Sequence, residues 1–196
     1  MAKAAVAQGA TPVVLADHSD RSGSATFLLK EIIAQDLSDV IIATIADADA
    51  TAKVKASGAK GGDPFDMQIG GRVDASAGNP VRISGTIIYA AEAHGQFWVA
   101  VKFGRGNVLI LSTYLVQMME PFSLGTGGID IAAFKVFAIK SRVHFRRGFD
   151  DNGFAKTILL VEPDKPFLGT VHLDALPYEN VDLKKYYPYG EPEFGG

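Results

Sequence analysis

Residues Pro12 to Ala46, PVVLADHSDRSGSATFLLKEIIAQDLSDVIIATIA, decide the fold class. Pro12 to Asp17 (PVVLAD) stays apolar until its last residue, without the alternation of a strand wetted on one face, so it reads as a strand buried on both sides. The polar loop HSDRSGS follows. Ser24 to Asp36 then places Phe27, Leu28, Glu31, Ile32 and Gln35 at helical spacing, with Ser22 or Ser24 able to cap the helix start. Asp39 to Ala46 is a second apolar strand, and Ala48 to Ser57 is an alanine-rich helix stopped by Gly58. Strands alternating with helices predict parallel pairing through right-handed crossovers.

The middle of the chain has a different character. After the turn-rich GAKGGDPFD come MQIGGRVD, PVRISGTIIYA, QFWVAVKF and NVLILSTYLVQM, separated by Ala77-Gly78-Asn79-Pro80, His94-Gly95 and Gly104-Arg105-Gly106. Strands joined by such short turns pair antiparallel. A glycine-rich short helix or loop (SLGTGG) follows Pro121. The last third returns to strand (Lys135 to Lys140), short helix (Ser141 to Phe149) and strand (Ala155 to Val161). The predicted fold is therefore α/β: a mixed sheet with parallel βαβ units at both ends of the chain and an antiparallel β insertion in the middle. One domain over residues 11–190 is expected, with 1–10 a linker or disordered start and 191–196 a frayed tail.

Composition sets limits on function. With 196 residues, 47% hydrophobic and 21% charged, the chain has enough apolar material for one packed core. A net charge of −3 argues against bulk electrostatic attraction to nucleic acid, so any cationic chemistry is local. The absence of cysteine excludes disulfides, thiolate metal sites and cysteine nucleophiles. No apolar run reaches the roughly 20 residues that cross a bilayer, and MAKAAVAQGATP is too weak in charge and apolar length for a signal peptide. A cytoplasmic chain that binds neither membrane nor nucleic acid is expected.

Two loops attract attention because each follows a parallel strand and leads into a helix. In open α/β sheets such strand ends share one crevice, where ligands bind. The first loop runs from Asp17 through Asp20, Ser22 and Gly23. The second, Lys140-Ser141-Arg142-Val143-His144, leads on to Arg146 and Arg147. Four cations and a histidine at the mouth of a buried strand need an anionic answer, either a ligand or carboxylates. The plainer reading makes Ser22 and Ser141 helix caps and Asp17 and Asp20 partners of a helix dipole. A metal site built by this chain alone is not expected: His18, His94, His144 and His172 lack ligand spacing and there is no HExxH. His94 reads as a turn residue and His172 as a strand residue. Neither GxSxG nor SxxK is present, and the glycines of FGRGNV fit a hairpin rather than a phosphate loop.

The segments VVLADHSDRSGSATFLLKEI, FDMQIGGRVD, KSRVHFRRGF and LDALPYENV, in this order, resemble the C-terminal domain of the microcystinase C (MlrC-like) family of zinc metallopeptidases. The resemblance runs from about Thr11 to Tyr189 and is most specific at Lys140-Ser141 and His144-Phe145-Arg146. The first loop departs from the family pattern: many relatives carry a glycine-rich DNPGGG-like version there. The resemblance implies an N-terminal domain, absent from this chain, that holds the zinc and the catalytic residues. It also implies a peptide or small amide substrate. Under that reading Lys140, Ser141, Arg146, Ser22 and Gly23 bind substrate, His144 takes part in catalysis, and Asp17 and Asp20 support the cations. No cofactor is expected on this chain alone. Two alternatives stay open: a stand-alone module for a small anionic ligand, and a purely structural interaction domain.

Overall fold

The computed structural model describes residues 1–163, apart from 19, 21, 22, 24 and 74–76 and the side chains of Phe122 and Thr126. Ser22, His172, the LDALPYENV segment and the tail at 191–196 lie outside the described residues. Eight strands form one mixed sheet: β1 (Val13–Asp17), β2 (Val40–Ala46), β3 (Pro64–Ile69), β4 (Val81–Ala93), β5 (Gln96–Phe103), β6 (Asn107–Ser112), β7 (Val136–Lys140) and β8 (Thr157–Val161). Their order is β3-β4-β5-β6-β2-β7-β1-β8. From β6 to β8 all neighbours are parallel, and from β3 to β6 all are antiparallel. This is the predicted division between βαβ units and a β insertion, joined along β6 into a single sheet.

Every residue of β1, β2, β6 and β7 is buried, because both faces of the parallel half are covered. One face packs on α1 (Ala2–Ala7), α2 (Phe27–Ala34) and α3 (Ala48–Ser57), with Leu28, Leu29, Ile32 and Val54 against Val13, Leu15, Val136 and Ala138. The opposite face carries Val14, Ala16, Phe137 and Ile139 beneath Met118, Leu124, Phe145 and Phe149. There Phe137, Phe149 and Phe154 meet edge to face, with centroids 5.0–6.1 Å apart.

Local sequence accounts for most boundaries. The helix α3 has the predicted limits, with Asp47 at its N-cap and Gly58 at φ 68° closing it. Residues 2–7, where a linker was expected, instead form α1, whose Ala2 is buried. The helix α2 starts at Phe27, later than the periodicity suggests. Thr26 takes the cap position, but its hydroxyl donates to the Asn79 carbonyl at 2.9 Å instead of capping. The strand expected from MQIGGRVD begins earlier, at Pro64, and stops where Gly70 and Gly71 turn left-handed at φ 66° and 65°. The apolar run NVLILSTYLVQM leaves the sheet at Ser112, and its second half crosses the end of the sheet without regular structure. A turn follows Lys140, then a π-helical turn at Arg146–Asp150 and not an α-helix.

Asp47 joins the helical layer to the insertion. One carboxylate oxygen accepts the Ala50 N–H at 2.9 Å, and the other accepts the Gly70 N–H at 2.7 Å and Arg72 at 2.5 Å. Replacing Asp47 by Ala removes a cap and leaves a buried N–H without its partner, so urea unfolding is expected to show a loss of about 2–4 kcal/mol.

Candidate functional site

The parallel register places Asp17, the last residue of β1, beside Lys140, the last residue of β7. Both side chains leave the sheet on the helical face, and Lys140 is only 1% exposed. An ammonium group has three N–H donors, and three acceptors surround this one: Asp17 Oδ2 at 2.8 Å, Ala25 O at 2.8 Å and Asp20 Oδ2 at 3.2 Å. Burial would depress the lysine pKa, but the charges and hydrogen bonds of Asp17 and Asp20 together outweigh it and hold the pKa above its ordinary value. Lys140 therefore has no donor left for a substrate. In this structure Lys140, expected from its place in a basic run to bind substrate, is an internal tie between two strand ends.

The first loop folds around its own carboxylates. Asp17 Oδ1 accepts the Asp20 N–H at 3.1 Å, and Asp20 accepts the N–H groups of Gly23 at 3.0 Å and Ala25 at 2.6 Å. Gly23 sits at φ 86°, and a Cβ there would lie 2.5 Å from the Thr44 carbonyl. Its own carbonyl accepts the Ala46 N–H at 2.8 Å. With its N–H committed to Asp20, Gly23, expected to bind substrate, is here a strut between the loop after β1 and the last residues of β2.

Strand alternation sends the next residue, Ser141, to the opposite face. Its buried Oγ accepts the Phe145 N–H at 3.2 Å and lies 3.0 Å from Gln117 Nε2. Gln117 Oε1 is in turn 3.2 Å from Nδ1 of His144, whose ring is exposed. Thus Ser141 shapes the turn from within, and His144 presents its imidazole from a turn anchored by the buried Phe145 and Phe149. Gln117 was missed by sequence reasoning. It lay in an apolar run read as strand, and no local spacing linked it to a histidine 27 residues away.

Two of the remaining cations are also engaged. Arg146 pairs with Asp150 at 2.6 Å and lies over the Phe145 ring at 5.5 Å, while Arg142 Nε donates to the His18 carbonyl at 3.0 Å. In the chain segments that carry Gln117 and His144, Tyr114, Leu115, Met119 and Val143 are 52–64% exposed. Beside Gln117, under the segment after β6, opens a cavity of about 400 Å³.

The sequence profile of the family described as MlrC C-terminus matches residues 15–179. The chain belongs to this family. The MlrC-type domain is also similar to a crystal structure of a protein from Mesorhizobium sp. BNC1 named as a candidate metallopeptidase. The TM-score is 0.70 and the identity 15%, over 94% of this chain and 39% of that one. The domain thus spans about two-fifths of that relative's length. Among curated proteins no sequence matches it. Among the described residues no three His, Asp or Glu side chains converge as a metal ion would require. Asp17 and Asp20, the best-placed carboxylates, already serve Lys140 and backbone N–H groups.

Substituting Lys140 by Met strips two buried carboxylates of their cation, which is expected to lower stability by about 3–5 kcal/mol in denaturant titrations. Because the folded-state pKa of Lys140 is raised, its stabilisation is complete below the ordinary lysine value of about 10.4. It is lost as pH climbs through the higher folded value. The stability gap between parent and K140M should therefore hold steady at neutral pH and narrow in strong alkali.

Proposed function

We propose that this chain is the C-terminal domain of an MlrC-type metallopeptidase, closing one side of a substrate cleft whose zinc and principal catalytic groups belong to an N-terminal domain. The observation that carries this reading is the exposed His144, held by Gln117 on a buried Ser141 anchor at the carboxyl end of the parallel sheet. A strand-end crest is where open α/β sheets place their ligands. The exposed apolar side chains of Leu115, Met119 and Val143 on the segments that carry Gln117 and His144 suit coverage by a second domain and a bound peptide or small amide. The family match and the 39% coverage of the longer relative support a further domain in the complete protein.

In this arrangement the chain's own residues bind and orient. With its Nδ1–H donating to Gln117 Oε1, the neutral imidazole of His144 turns the lone pair of Nε2 outward, to accept a proton from a water or substrate group and, once it holds that proton, to return it. Gln117 fixes the ring's direction through Nδ1. Arg146, restrained by Asp150 and Phe145, contributes positive potential at the edge of the turn. A stand-alone site for an anionic ligand has weaker support, because Lys140 is sealed and Arg146 already has a carboxylate partner.

Combining the chain with its N-terminal zinc domain should restore peptide or amide hydrolysis, and His144→Ala should lower kcat in that assembly by about 10²–10⁴-fold. The chain alone should show no turnover with added zinc. Hydrolysis by the isolated chain that vanishes in H144A would overturn this division of labour.

A further inference from the structure

The cavity beside Gln117 lies on the sheet face opposite the helices, at the same strand end as His144. Ala100 and Ile110 form its floor, Tyr89 and Trp98 line it from the antiparallel half, and Met118 and Met119 close it from the segment that crosses the sheet. Ala100 gives it depth, since any larger side chain at that position would fill the floor. Tyr89 is held as a fixed wall: its ring passes so close to Gly127 that a Cβ there would sit 2.2 Å away. Two aromatic walls and two flexible thioethers suit an apolar guest of variable shape. A volume of about 400 Å³ is within the range of small-molecule sites.

The few polar groups define what must accompany that guest. Gln117 belongs to the cavity wall and also touches His144, so a ligand seated in the cavity carries its polar end to the imidazole. The other polar lining residues are His94, Gln96, Ser123 and Glu120, and of the carboxylates and lysine or arginine cations only Glu120 is present, so the formal charge of the wall disfavours a ligand carboxylate. We infer that this cavity is a specificity pocket for the aromatic or long apolar side chain of an uncharged amide or peptide segment, with the amide lying toward Gln117 and His144. Its role as a substrate pocket rests on the proposed function; the binding itself does not.

The full chain carries its own reporters. Trp98 is the single tryptophan, and two of the four methionines, Met118 and Met119, line the pocket while Met1 and Met67 lie elsewhere. Titration with N-acetyl-L-phenylalanine amide should change Trp98 emission in a saturable way and move the Met118 and Met119 methyl resonances, leaving Met1 and Met67 in place. N-acetylglycine amide and N-acetyl-L-phenylalanine, which carries a free carboxylate, should each bind at least tenfold more weakly. Ala100→Leu should weaken the phenylalanine amide tenfold or more with the Met67 signal unchanged. If that variant does not fold, Met119→Lys at the exposed rim should produce the same loss. No saturable response, equal binding of the glycine amide, or a shift at Met1 (which lines a separate groove beside β8) would overturn the pocket. Binding by the isolated chain without hydrolysis in the two-domain assembly would overturn the proposed function and leave the pocket standing.

Discussion

A lysine ammonium with 1% exposure costs several kcal/mol in lost solvation unless acceptors replace the water on all sides. Lys140 meets that demand with two carboxylates and one carbonyl, and the geometry needed to do so constrains much of the domain. β1 and β7 must pair with Asp17 beside Lys140. The loop after β1 must curl until Asp20 and the Ala25 carbonyl also reach the amine. A shift of one residue in register would turn Lys140 into the aromatic layer, away from both aspartates.

From this tie the rest of the crest follows. Since Lys140 points to the helical face, Ser141 points away from it and sits where it can hold the Phe145 turn and reach Gln117. The phenylalanine cluster under that turn fixes the backbone that carries His144. An exposed imidazole on a rigid, well-packed support is better placed for chemistry than one on a free loop. The same segment that supplies Gln117 also roofs the apolar cavity. Polar anchor, imidazole and pocket therefore share one stretch of main chain.

Legibility in the sequence varied with the range of the interaction. The limits of α3 were readable because Asp47 and Gly58 act within one helical turn of the elements they close. The two kinds of strand were readable because unbroken apolar runs and tight glycine turns reflect burial and hairpin geometry. The run IKSRVHFRRGF, by contrast, looked like a cationic patch facing a ligand. Counting charges could not reveal that Lys140 turns inward, that Arg146 pairs with Asp150, or that Arg142 reaches a backbone carbonyl. Gly23 was read as a substrate-binding residue, and nothing local in the sequence announced that its φ of 86° and its closeness to Thr44 also serve loop packing.

The amino-acid order by itself determined the succession of strands and helices, the mixed character of the sheet and membership of the family. Each depends on periodicity or on motifs a few residues long. Only the tertiary structure decided which cation is internal, which glutamine supports the histidine, and where an apolar pocket opens. Lys140 and Asp17 are 123 residues apart, and Gln117 is 24 from Ser141. Contacts across such separations are set by strand register and by the face on which each side chain emerges, and both emerge only when the whole sheet has assembled.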